Sequence, residues 1–273
     1  RKESSAASDV YKRQHIHGGE VTSGVIDDGI RHSISKLANL HFVATNEFKN
    51  RLISMGEENK SIVNIGSLAV QGNKKIKKYS KADILKRFSI INYNQYFVIT
   101  VHPETINSNN KKLIKNILLA LESFKDYYFI FTGTNSDTDS SIISKNINEF
   151  IKKNKKQAAL IESSGRELYV NMMKHSALII GNSSSGIIES PSLHTASINI
   201  GNRQAGRPLS KSIFSSSYEL SDIITKINHG LKFDFIKNKF KPKYQGNGSI
   251  EKIINRLLKI NKNKLLHKKF FDK

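Results

Sequence analysis

Ala177-Leu178-Ile179-Ile180-Gly181-Asn182-Ser183-Ser184-Ser185-Gly186-Ile187-Ile188-Glu189 is the stretch that decides how this chain folds. A short buried strand runs into a Gly/Ser loop and then into a helix, which is how α/β proteins bind phosphate. Small residues let the backbone approach closely, hydroxyls and amides point at the anion, and the helix N-terminus supplies partial positive charge. Glu189 lies within the helical segment, where its carboxylate can accept both hydroxyls of a ribose. The loop fits neither the nucleotide-hydrolase nor the dinucleotide signature. The rival reading is a Ser-rich strand-to-helix turn capped by hydroxyls.

Working outward, strands and helices alternate. Strand Tyr96–Val101 precedes a helix with Leu113, Ile114, Ile117, Leu118 and Leu121. Strand Tyr127–Thr132 precedes one with Ile142, Ile143, Ile147, Phe150 and Ile151. Strand Ala158–Ile161, a helix near Glu167–Lys174, strand Ala196–Ile200 and helices at about Tyr218–Leu231 and Ser249–Ile260 complete the series. Nearer the start, Ile30, Ile34, Leu37 and Leu40 make a helical stripe, followed by strand His41–Thr45, a helix from Asn46 and strand Ile62–Gly66. The lysine-rich stretch 71–81 reads as a linker. Such alternation predicts an α/β protein with a parallel, doubly wound sheet, which binds ligands at the carboxyl ends of its strands. His102-Pro103-Glu104, Gly133-Thr134-Asn135 and Gly181–Ser185 all fall at such ends. Glu104 reads as a helix-start or loop charge.

Composition narrows the class. The 38% hydrophobic content supports a core, and no apolar run approaches the ~20 residues of a membrane span. The absence of cysteine excludes disulfide scaffolds and thiolate metal sites and fits a reducing, cytoplasmic compartment. The formal charge of +21 comes mostly from lysines scattered among Asn, Ile and Ser, as in Lys74-Lys75-Ile76-Lys77-Lys78. Without a basic face or stacking aromatics it argues for no nucleic-acid partner. Residues 1–14 carry no apolar periodicity and no signal-peptide core and read as a cloning or assembly scar joined to the native chain.

A second group of chemical side chains spans His15 to His32: His15, His17, Glu20, Asp27, Asp28, Arg31 and His32. Two glycines after a strand permit a tight turn. Asp27 or Asp28 can cap the following helix, and Asp27 and Arg31, four apart, share one face. Together these groups can hold a proton-transfer site. The bland alternatives are a satisfied core histidine at His15, a helix cap at Asp28 and a surface pair of His32 with Asp28. A metal site of His15, His17 and Glu20 is the alternative, but His-x-His on an extended strand needs a third ligand and a second shell, so no metal is expected.

These segments resemble the hydrolysing branch of the UDP-N-acetylglucosamine 2-epimerases, the enzymes that open sialic acid synthesis. The likeness runs from His15 through Asp27-Asp28, Arg31-His32 and Leu40-His41-Phe42 to Thr100-Val101-His102-Pro103, Asn135 with Asp137, and Gly181-Asn182-Ser183-Ser184. It ends in Gly201-Asn202-Arg203-Gln204-Ala205-Gly206-Arg207 and Gly246-Asn247-Gly248. It implies a glycosyltransferase-B-like fold of two Rossmann-like domains, the first incomplete: 15–70 as a remnant of the sugar-side domain, 82–248 as the UDP-binding domain, 249–273 as a closing helix and tail. It implies Ser183 and Ser184 on the phosphates, Glu189 on the ribose, and Arg203, Asn135 and His102 on the uridine diphosphate. Asp27 and Arg31 match a carboxylate and an arginine that the family uses at the sugar, and His17 stands where some relatives carry a catalytic glutamate, with Glu20 the nearest carboxylate. The catalytic set is therefore Asp27, Arg31, His17, Glu20 and His102, working without cofactor or metal on a UDP-sugar, in a homo-oligomer at full length. The 273-residue chain itself is expected to be inactive. The alternatives are a non-hydrolysing epimerase or a glycosyltransferase of the same fold.

Overall fold

The computed structural model describes residues 13–22, 27–104, 109–135, 139–260 and 268–272. Most of the segment 1–14 and Asp137 lie outside the described residues. In chain order the elements are β1 (Gln14–Ile16), α1 (Asp27–Leu37), β2 (Leu40–Val43), α2 (Asn46–Ser54), β3 (Ile62–Asn64), α3 (Leu68–Gly72), α4 (Lys81–Arg87), β4 (Tyr96–Thr100) and α5 (Asn110–Leu121). There follow β5 (Tyr128–Thr132), α6 (Ser140–Lys153), β6 (Ala158–Ile161), α7 (Gly165–His175), β7 (Leu178–Gly181) and α8 (Ser185–Ile188). β8 (Ser197–Ile200), β9 (Ile213–Ser216), α9 (Leu220–Leu231) and α10 (Ser249–Leu258) complete the chain. It divides into two compact units, one running to Lys74 and resuming at Lys243, the other from Lys75 to Pro242.

The second unit is built on a six-stranded sheet in the order β6-β5-β4-β7-β8-β9, parallel throughout. Its central strands, Tyr96-Phe97-Val98-Ile99-Thr100 and Tyr128-Phe129-Ile130-Phe131-Thr132, are buried along their whole length. Such strands read as continuous apolar runs because both faces are covered. The period of two is kept underneath. Phe97, Ile99, Phe129 and Phe131 face a layer holding Leu113, Ile117, Ile143 and Ile223, whereas Tyr96, Val98, Tyr128 and Ile130 face Ile84, Leu168 and Met172. The chain builds outward from β4 to β6, then returns to lay β7 against the other side of β4. That reversal is a topological switch point, where open α/β sheets bind ligands.

The first unit carries a three-stranded parallel sheet in the order β1-β2-β3. Leu40, Phe42 and Ile65 form its apolar centre, with Ile253 of α10 packed against them. Gln71, read from sequence as the start of a linker, is buried, and its side-chain carbonyl accepts the amides of Ser249 and Ile250 at the start of α10. The stripe of Ile30, Ile34 and Leu37 on α1 is 57%, 45% and 57% exposed. The face that α1 buries among the described residues is that of Ser35, whose hydroxyl meets the ring of His15. Thr45 ends its strand early because its hydroxyl caps α2 by accepting the Phe48 amide. Among the described residues no helix is long and apolar enough to cross a membrane.

Candidate active site

At the switch point of the second unit, strand registry brings Thr100 of β4 opposite Gly181 of β7. Gly181 has φ +137°, and a Cβ there would stand 1.9 Å from the Thr100 carbonyl, so no other residue fits. The close approach lets the next residue, Asn182, reach across. Its carbonyl oxygen accepts the His102 amide at 2.8 Å and its NH2 donates to the His102 carbonyl at 2.8 Å. The amide of Asn135, after β5, donates to His102 Nδ1 at 3.2 Å. Because Nδ1 accepts, the neutral ring carries its proton on Nε2, which makes Nε2 the donor toward a ligand. Three of the strand ends marked by sequence are therefore joined: His102, Asn135 and the loop after β7. Asn182, which sequence reading placed in the motif without a role, is the residue that ties two of them.

The Ser183–Ser185 loop is organised by hydroxyls. Ser183 Oγ lies 3.0 Å from Ser185 Oγ, which lies 2.7 Å from Tyr169 OH of α7. One expectation requires correction. The helix that follows, α8, is only four residues long, and a macrodipole needs many aligned peptide units to build up at its end. Hydroxyls and loop amides, rather than a helix dipole, are what this site offers an anion. Glu189 is the residue that closes this single turn, and its carboxylate, 8% exposed, accepts from Arg166 Nη2 at 3.0 Å. Arg166, at the second position of α7, was not picked out from sequence.

Glu104 also departs from its reading as a helix-start or loop charge. It is 3% exposed; Oε1 accepts the amides of Asn202 and Arg203 at 3.0 and 3.2 Å, and Oε2 accepts the Tyr218 hydroxyl at 2.7 Å. A buried carboxyl group is costly unless it is hydrogen-bonded in this way. It holds the loop after β8 against the rim, and from that loop Arg203 Nη1 and Gln204 Nε2 donate to the Asn182 carbonyl at 3.2 and 2.9 Å. His102, Asn135 and Arg203 are thus tied into one hydrogen-bonded rim through Asn182 and His102, with Ser183 and Ser184 adjoining it in the chain.

In the first unit a second cluster forms after β1. His17, in a left-handed conformation at φ +64°, places Nδ1 2.9 Å from Oε1 of the buried Glu20. Arg31 Nη1 donates to the Glu20 carbonyl at 3.3 Å, to Thr22 Oγ1 at 3.0 Å and to Asp28 Oδ1 at 3.2 Å. Arg31 therefore pairs with Asp28, three residues back, and not with Asp27. Asp28 also accepts the Thr22 amide at 2.8 Å and faces His32 at 3.4 Å, which makes it the structural member of the pair. Asp27 is exposed at the start of α1 and forms no side-chain hydrogen bond with another described residue. His15 binds Ser35, and burial followed by repulsion from His41, Arg31 and His17 lowers its pKa to about 4. Since His15 and His17 turn to different partners, they do not converge, and among the described residues no group of three or more His, Asp or Glu side chains is placed to hold a metal ion.

Comparison with known proteins places this geometry. A family model described as UDP-N-acetylglucosamine 2-epimerase matches residues 5–258, a span that begins inside the segment 1–14. The chain is 40% identical over 262 residues to a Campylobacter jejuni protein named GDP/UDP-N,N'-diacetylbacillosamine 2-epimerase (hydrolyzing), covering 94% of this chain and 68% of that protein. It is 39% identical over 266 residues to the Escherichia coli polysialic acid biosynthesis protein P7, covering 94% and 66%. The chain thus spans about two-thirds of the length of these curated relatives. A crystal structure of UDP-GlcNAc 2-epimerase from Neisseria meningitidis bound to UDP-GlcNAc superimposes with a TM-score of 0.77 at 18% identity, covering 93% of this chain and 72% of that one. With that family model matching nearly its whole length and that identity to its relatives, the chain belongs to the UDP-N-acetylglucosamine 2-epimerase family.

Proposed function

We propose that the protein is a hydrolysing 2-epimerase that converts UDP-N-acetylglucosamine, or a 2,4-diacetamido analogue, to the corresponding N-acetylmannosamine sugar and free UDP. The observation that carries this is the joined rim of His102, Asn135, Asn182, Ser183 and Arg203 at the switch point, in a chain 40% identical to an enzyme named as hydrolysing. The E. coli relative's role in polysialic acid biosynthesis supports a place in the synthesis of sialic-acid-type sugars.

In this reaction a base takes the proton from C2 while the diphosphate leaves C1, giving a glycal. Water then adds at C1, and a proton returns to the opposite face of C2. The C2 proton is weakly acidic, so departure of the diphosphate supplies the drive. Arg203, Ser183, Ser184 and His102 Nε2 stabilise the charge that develops on the leaving group. Glu189 accepts the ribose hydroxyls, with Arg166 fixing its carboxylate. Asp27 and the His17–Glu20 pair handle the protons at C2, and Arg31 holds the turn that carries them. The reaction needs no cofactor and proceeds in the cytoplasm, in a homo-oligomer.

The test is incubation of the full-length protein with UDP-N-acetylglucosamine and with its diacetamido analogue, following nucleotide and sugar by NMR. Release of UDP with an epimerised sugar is expected. A product that retains the nucleotide indicates the non-hydrolysing reaction, and turnover only with an added acceptor indicates a glycosyltransferase; either refutes the proposal.

A further inference from the structure

Five hydroxyls run in a single line through the second unit. Thr132 Oγ1 lies 2.7 Å from Thr100 Oγ1, Thr100 Oγ1 3.2 Å from Tyr169 OH, Tyr169 OH 2.7 Å from Ser185 Oγ, and Ser185 Oγ 3.0 Å from Ser183 Oγ. The line begins among buried residues at the ends of β5 and β4 and emerges at the half-buried Ser183. At its inner end Thr132 Oγ1 also donates to the Ile99 carbonyl, at 3.5 Å.

A hydroxyl has one proton and two lone pairs. If every link is made once, the line has two ordered states. When Thr132 donates to Ile99, Thr100 must donate to Thr132, Tyr169 to Thr100, Ser185 to Tyr169 and Ser183 to Ser185. All protons then point inward, and Ser183 shows lone pairs to the rim. When the order reverses, Thr132 donates to Thr100 and each hydroxyl passes its proton outward, so that Ser183's own proton points at the rim. Reversal gives up only the Ile99 contact, which at 3.5 Å is at the limit of a hydrogen bond. An anion needs donors and selects the outward state; each donor in that state is strengthened by the hydroxyl behind it.

We propose that Tyr169 is a positioning residue for the nucleotide's diphosphate: it couples Ser183 and Ser185 to the buried threonines, so that an anion at Ser183 meets a donor backed by the whole line. This rests on the assignment of Ser183 to the phosphates and adds what supplies its proton. Tyr169 is the link that can be cut with least disturbance, because phenylalanine keeps the ring and removes only the hydroxyl.

The experiment is calorimetry of UDP and of uridine binding to this chain, as wild type and as Tyr169→Phe, Ser183→Ala and the double variant. Expected are a UDP affinity about two- to four-fold weaker for Tyr169→Phe, the cooperative share of one charge-assisted hydrogen bond, and unchanged uridine affinity. The double variant should bind UDP no more weakly than Ser183→Ala alone. Thr100→Val, which cuts the line one hydroxyl further in, should reproduce the selective loss should Tyr169→Phe fail to fold. If Ser183→Ala weakens UDP but both Tyr169→Phe and Thr100→Val bind it normally, the coupling is refuted while the phosphate assignment stands. If Ser183→Ala leaves UDP binding unchanged, that assignment falls and the coupling with it. Equal losses for UDP and uridine in Tyr169→Phe would mean a general structural role and would also overturn the proposal.

Discussion

Glu57 gathers two lysine ammonium groups and a histidine in the first unit, and its replacement should destabilise that unit over a pH range that can be stated beforehand. Its side chain is 2% exposed; Oε1 accepts Lys36 Nζ at 2.7 Å, and Oε2 accepts Lys268 Nζ at 2.7 Å and meets His41 Nε2 at 2.9 Å. Burial alone would raise its pKa, but the hydrogen bonds from His41, Lys268 and Lys36 overcome this and lower it to about 2 from 4.5. At 1.36 kcal/mol per pKa unit, that difference is worth about 3 kcal/mol. Because the folded pKa is the lower one, the stabilisation is complete above pH 4.5 and is lost as pH falls toward 2. Glu57→Gln removes it at every pH and leaves Lys268 and the fully buried His41 opposite a neutral amide. His15 acts in a separate window. Its folded pKa of about 4 against 6.5 means that the fold loses stability as pH falls from 6.5 to 4, in wild type and variant alike. Urea unfolding at a series of pH values, with amide exchange on β2 to assign the transition, measures both. The variant should be about 3 kcal/mol less stable at pH 7 and should lack the loss between pH 4.5 and 2. Equal stability at pH 7, or parallel wild-type and variant curves below pH 4.5, would refute the charge-pairing account.

Three further outcomes follow from the site. Glu189→Gln should weaken UDP binding by roughly 1.5–3 kcal/mol, the worth of a hydrogen bond to a charged group; unchanged affinity in calorimetry would remove Glu189 from the ribose. Glu104→Gln should loosen the Asn202–Arg203 loop and lower UDP affinity about tenfold, one lost hydrogen bond to a charged group, with circular dichroism unchanged; wild-type affinity would show that the loop is held by other contacts. In the full-length enzyme Asp27→Asn should abolish most turnover without altering stability, whereas Asp28→Asn, which loses the Thr22, Arg31 and His32 contacts, should lower the melting temperature. Wild-type turnover in Asp27→Asn would end its assignment to proton transfer.

The second unit was legible because its strands are buried on both faces. Ala158–Ile161 falls at its sequence-read bounds, and Tyr96–Thr100, Tyr128–Thr132 and Leu178–Gly181 fall within a residue of theirs. Each is an apolar run between polar loops, the pattern that needs no knowledge of partners. β9 escaped notice because Ile213-Phe214-Ser215-Ser216, at the edge of the sheet, buries little and reads as loop. α4 escaped because a lysine-rich stretch hid its start, although Ser80 and Asp83 form a reciprocal cap that four residues of sequence contain. α1 could be read as a helix from its apolar stripe, but sequence did not mark Ser35 as the residue that it buries, whose hydroxyl meets the His15 ring.

The candidate site divides along a similar line. His102, Asn135 and Ser183 could be marked one by one because each follows a recognisable strand, and the fold rule places strand ends together; Arg203 was marked by the family resemblance. What sequence could not supply is which polar group satisfies which. Glu104 meets Arg203 across 99 positions and Asn182 meets His102 across 80, separations over which no periodicity operates. Glu104 therefore reads as a loop charge, although a carboxyl group 3% exposed has to find hydrogen-bond partners. The same blindness misplaced the partner of Arg31. An i, i+4 rule favoured Asp27 for Arg31, but Arg31 also reaches back to Glu20 and Thr22, and from that position Asp28 is the carboxylate within reach. Asp27 is left exposed at the start of α1. A pairing rule along one helix thus yielded to a turn that sets the arginine's direction, and that turn is what the Gly18-Gly19 pair makes possible.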